Sequence, residues 1–173
     1  MLLLYAGAMV PAAAAAQWPL ERVIVFSDAR SCTFGEPLAR IFSGLARWNE
    51  RTGRNEAGPP VRIAGLARPL VPTLRRLDRD YLSAAIPLRG RWHGLTVTRI
   101  DTIFIPESDV GANRIHFAEP RARVLAVLNA RGFGLDPRTY SATVDVRTPE
   151  MEQSVTLSLE RSGAGTIFSC GPG

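Results

Sequence analysis

Leu95-Thr96-Val97-Thr98-Arg99-Ile100-Asp101-Thr102-Ile103-Phe104-Ile105 is the stretch on which the reading of this chain turns. Leu95 and Val97 alternate with Thr96 and Thr98, the period-two pattern of a strand with one buried face. The alternation fails across residues 99–101 and resumes at Ile103 and Ile105. An inserted residue breaks a strand in this way, so a bulge or bend is expected there.

Downstream, residues 106–111 read as a loop and 113–117 as a short strand. A helix is predicted over residues 120–131, with Val124, Val127 and Leu128 inward and Gly132 in the left-handed conformation that ends it. Residues 143–147, 154–160 and 166–170 read as a meander, its last turn supplied by Arg161-Ser162-Gly163-Ala164-Gly165.

Upstream lies the clearest helical pattern. Leu38, Ile41, Phe42, Leu45 and Trp48 share one helical face, and Glu36 and Pro37 suit a first turn. The helix is expected to run through Arg47 and Arg51 and to end at Gly53. Residues 23–26 suit a buried strand, 52–60 a loop, 61–64 a strand, 73–80 a short basic helix and 81–88 a strand ending at Arg89-Gly90.

The fold class these elements imply is α+β, an antiparallel sheet with two main helices packed on one side. The two helix starts also resemble each other. Phe34-Gly35-Glu36-Pro37-Leu38-Ala39-Arg40 overlays Phe117-Ala118-Glu119-Pro120-Arg121-Ala122-Arg123 at an offset of 83 residues. This allows a tandem helix-plus-three-strands repeat, although Phe-x-Glu-Pro is also a favourable helix start in its own right.

Residues 1–16 carry no charge, open with Leu2-Leu3-Leu4 and end in alanines, with Ala14 and Ala16 placed for signal-peptidase cleavage. The basic flank that usually precedes such a region is missing. We read a signal peptide over residues 1–16 and a single domain over 17–173, periplasmic or secreted. No later stretch is long and apolar enough to span a bilayer as a helix. In an oxidising compartment Cys32 and Cys170 read as one disulfide, which could stabilise the fold by at most ~4–5 kcal/mol on the chain-entropy model.

All 21 basic residues are arginine, and they are unevenly placed. Residues 51–99 carry ten Arg against Glu56, Asp78 and Asp80, a net of +7, whereas residues 100–173 carry a net of −2. Arg75, Arg76, Arg79, Arg89 and Arg91, with Trp92, therefore form the candidate surface for an anion or partner. After export the expected partner is an anionic envelope component or an acidic protein, not nucleic acid.

Catalytic candidates are sparse. Cys32 with His93 or His116 is a conceivable nucleophile and base only if the thiol is free. His93, Asp101 and His116 could meet as metal ligands, but no ligand spacing supports them. No nucleophile elbow, phosphate loop or acidic calcium loop is present, and no cofactor is implied. The leading expectation is an exported non-enzymatic binding module. The alternatives are a small hydrolase or metal-dependent enzyme using His93 or His116, and a structural envelope protein-interaction domain.

Overall fold

In the computed structural model, residues 18–108, 110–147 and 152–172 are described. The expected signal peptide lies outside them. In chain order the elements are β1 (Phe26–Asp28), β2 (Thr33–Phe34), α1 (Glu36–Ser43), β3 (Ala46–Asn49), β4 (Arg54–Ala57), β5 (Thr73–Arg76), β6 (Leu82–Ile86), β7 (Gly90–Trp92), β8 (Leu95–Phe104), β9 (Gly111–Phe117), α2 (Arg121–Ala130), β10 (Ser141–Arg147), β11 (Glu152–Ser162) and β12 (Gly165–Pro172).

β8 organises the eight-stranded antiparallel sheet. Its order is β10-β11-β12-β9-β8-β6-β5, with β7 also paired to β8. β9 lines one side of β8; β7 and β6 follow one another along the other. The register against β9 shifts between Val97 and Arg99, which is the bulge the broken alternation predicts. The insertion lets Leu95, Val97 and Ile100 all reach the core, each with no exposed surface, and turns Asp101 to the opposite face. A core row then crosses five strands through Ile86, Ile100, Ile115, Phe168 and Leu159. The next row, Ala85, Asp101, Arg114, Ser169 and Ser158, faces the other way.

Turn chemistry explains the tight connections. His93 (φ 46°) and Gly94 (φ 81°) form the two-residue link between β7 and β8. Both central positions of such a primed turn need positive φ, which glycine adopts freely and histidine tolerates better than most residues.

The two-helix α+β arrangement expected from the sequence is not adopted. Strand dominates, and the helices have only 8 and 10 residues. α2 packs on β11 and β12. Much of the core face is covered instead by irregular segments: Leu20, Val23, Ile24, Phe133 and Leu135 are all buried. Phe26 meets Phe133 at 4.8 Å, Phe133 meets Phe168 at 5.1 Å, and Trp92 Nε1 donates to the Ile24 carbonyl at 2.8 Å. The tandem repeat fails with it. α2 is followed by the meander β10-β11-β12, whereas α1 is followed by a hairpin, β3–β4, that forms its own two-stranded sheet.

α1 ends early because Gly44 follows it and the local alternatives are strong. The Gly44 N–H closes the helix on the Arg40 carbonyl, and the Leu45 carbonyl then accepts from Gly58 N at 2.9 Å. Asn49 Oδ1 accepts from the Arg51 and Thr52 amides, nucleating the hairpin turn, and Gly53 takes φ 60°. Arg47 and Asn49 both reach Glu56 across the pair. Trp48, which the helical spacing places on the same face as Leu38 and Phe42, is left 47% exposed. The predicted basic helix over 73–80 is likewise strand β5 and a turn, because Thr73 to Arg76 pair with β6.

The disulfide joins Cys32, in the turn after β1, to Cys170 in β12, with the Cα atoms 6.3 Å apart. Both cysteines are buried. Among the described residues no helix is long and apolar enough to cross a membrane.

The early end of α1 can be tested at Gly58. A Cβ there would drive into the Gly44 carbonyl group. Gly58→Ala should destabilise the protein by about 1–3 kcal/mol in urea denaturation. An unchanged midpoint would contradict the junction described here.

Candidate functional site

β5 is an edge strand, paired on one side only within the sheet, and its arginines are exposed. Arg75 and Arg76 project from β5 itself, and Arg79 follows in the turn to β6. Arg76 Nη1 donates to the Arg79 carbonyl at 2.6 Å, which fixes that turn. Asp78 is spent inside the turn, accepting from the amides of Tyr81 and Asp80. These bonds, that from Tyr81 foremost, hold its carboxyl below the usual range.

Arg75 separates two shallow grooves. One, about 480 Å³, is bordered by Trp48, Arg54, Arg76 and Glu107. The other, about 380 Å³, is bordered by Thr73, Ser83, Thr98 and Arg99. Arg54, Arg75 and Arg79 have no carboxylate within salt-bridge distance among the described residues.

The other sequence candidates fall elsewhere. Arg89 is exposed beside β7. Arg91 is committed to Thr96 Oγ1 at 2.9 Å and the Gly94 carbonyl at 2.7 Å, with Glu119 at 3.8 Å. Trp92 is 3% exposed and belongs to the core, so Trp48 is the aromatic beside the arginines.

Beyond Arg99 lies a cluster that the sequence revealed only in part. Asp101 is fully buried and takes a two-pronged contact from Arg114, Nε to Oδ1 and Nη2 to Oδ2, each at 2.8 Å. Arg99 Nη2 donates to Oδ2 at 2.6 Å, and His116 Nε2 lies 3.1 Å from Oδ1. The Ser83 hydroxyl also points at Oδ2, at 3.4 Å. Burial by itself would raise the Asp101 pKa, but the hydrogen bonds and charges of His116 and Arg114 outweigh it and hold the carboxyl far below its ordinary range. One carboxylate therefore balances two guanidinium groups only in part.

The chain matches no family model, no curated protein and no solved structure. The chemistry must be read from the residues themselves. Of the three ligands weighed for a metal, Asp101 and His116 meet, whereas His93 sits in the β7–β8 turn with its amide on Glu21. Burial, and next the charge of Arg131, hold the His93 imidazole below its usual range. Among the described residues no three His, Cys, Asp or Glu side chains form a ligand set. Cys32 is disulfide-bonded and has no thiol to offer as a nucleophile. Ser83, the hydroxyl of the cluster, is buried and directed at Asp101.

Arg99 and Arg114 were missed, although a signal for them exists. The bulge puts Arg99 and Asp101 on one face, and Arg114 and His116, two apart on β9, face the same way.

Removing the central charge should be costly. Asp101→Asn leaves Arg99 and Arg114 without their counter-ion and should destabilise the fold by about 3 kcal/mol at neutral pH. The folded carboxyl titrates below the unfolded one, so its contribution is complete above an ordinary aspartate pKa of about 3.9 and is lost as pH falls below it. The gap between wild type and variant should therefore narrow in acid, as denaturation at stepped pH will measure. A gap that stays constant down to strong acid would contradict this account.

Proposed function

We propose that this protein is an exported, non-enzymatic binding module whose β5 edge engages the anionic headgroups of an envelope surface. The observation that carries the reading is the set Arg75, Arg76 and Arg79, exposed on and beside an edge strand. Guanidinium groups held in this way suit phosphate or carboxylate, which they can bind in fork geometry. Trp48, exposed beside Arg54 and Arg76, adds an amphipathic ring of the kind that settles at interfaces. The apolar leader at residues 1–16 and the single disulfide support export. An acidic partner protein would use the same arginines, but the spread of charge along an edge suits a surface of repeated headgroups better. No observation favours either histidine as a catalyst.

Cosedimentation with phosphatidylglycerol-containing vesicles tests the proposal. A basic residue near an anionic membrane contributes about 1 kcal/mol. Arg75→Ala/Arg76→Ala/Arg79→Ala should thus weaken binding about a hundred-fold, and salt should weaken the wild type. Neutral vesicles should bind neither protein. Wild-type affinity in the triple variant would overturn the assignment of this edge. Capture of an acidic protein without any vesicle binding would replace the headgroup by a protein partner.

A further inference from the structure

A further concavity shares no lining residue with the grooves at the arginine edge. It measures about 990 Å³, at the upper end of the size range of ligand pockets. Three segments build it: residues 18–23, the first turns of α1, and residues 61–65. Its floor is apolar, for Val23, Ile41 and Ile63 lie there with less than a tenth of their surface exposed. Trp18 forms a wall. Gly65, at φ 92°, passes so close beneath the indole that a Cβ would lie 2.8 Å from Trp18 Nε1. The wall is anchored, since Arg91 N donates to the Trp18 carbonyl at 2.8 Å and Leu20 N to the Arg91 carbonyl at 2.6 Å.

The rim has a different character. Arg22, Arg40 and Arg62 line it with Glu21 and Glu36. Arg40 is paired to Glu36 at 2.9 Å, and Glu21 accepts the His93 amide at 3.0 Å. Arg22 and Arg62 have no carboxylate within salt-bridge distance among the described residues. An apolar floor beneath two uncompensated guanidinium groups is complementary to a molecule with an apolar chain and one anionic head. We infer that this concavity binds an anionic amphiphile, its chain over Val23, Ile41 and Ile63 and its carboxylate or phosphate between Arg22 and Arg62. The inference does not rest on the β5 edge, because neither set of residues contributes to the other.

Tryptophan emission of the purified protein, titrated below the critical micelle concentrations, supplies the test. The probes are dodecanoate, dodecyl phosphate and dodecyltrimethylammonium. Both anions should bind saturably, and the cation of equal chain length about ten-fold more weakly or not at all. The tighter of the two anions identifies the source, a fatty acid or a lipid phosphate. Arg22→Glu/Arg62→Glu should weaken both anions by about ten-fold or more while leaving the thermal midpoint unchanged. Trp18→Phe should remove the emission response while equilibrium dialysis still detects binding. Three results would overturn the assignment: equal affinity for cation and anions, indifference to the double reversal, or an undiminished response in Trp18→Phe.

Discussion

One inserted residue in β8 governs both faces of the sheet. Without the register shift between Val97 and Arg99, Asp101 would share a face with Leu95 and Val97 and lie in the core. A carboxylate there would meet Ile115 and Phe168 in place of arginines, at a desolvation cost no isolated ion can sustain. With the shift, Ile100 takes the core position and Asp101 becomes the hub of a cationic network. The bulge thus separates an apolar layer from a charged one within a single strand.

That separation explains the order of features along the sheet. Alternation holds the core row in line from β6 to β11, while the opposite face collects Ser83, Arg99, Arg114 and His116. Arg99 links this cluster to the groove that Arg75 borders. The positive charge concentrated in residues 51–99 is therefore not spread evenly over the surface. Some of it is neutralised around Asp101 or absorbed by turns, as with Arg91, while Arg75, Arg76 and Arg79 stand on and beside the β5 edge.

The legible parts of the fold were those dictated by local patterns. The broken alternation at residues 99–101, the meander of β10 to β12, the helix at α2 and the pairing of the two cysteines all follow from neighbouring residues or elimination. What the sequence concealed depended on competition. Leu45 and Trp48 continue the helical spacing of α1, yet Gly44 and the turn chemistry of Asn49 and Gly53 favour a hairpin. Thr73 to Arg76 lack any strong intrinsic preference, and a free edge on β6 settles them as strand. Trp92 looked like a surface aromatic beside arginines. Its burial depends on Ile24, 68 residues away, which no local pattern reports. At the candidate site the arginines could be named from composition, but their division into committed and uncommitted groups belongs to tertiary structure.

The Cys32–Cys170 bond also has a mechanical meaning. It spans 138 positions and encloses all of the eight-stranded sheet except the last residues of β12. Tension applied to the two ends of the chain would run through the sulfur atoms and bypass the strands between them. The pull would be borne outside the loop, before Cys32 and after Cys170. The sheet would keep its registry, and so would the charged face built on it, while the chain was held taut from both ends.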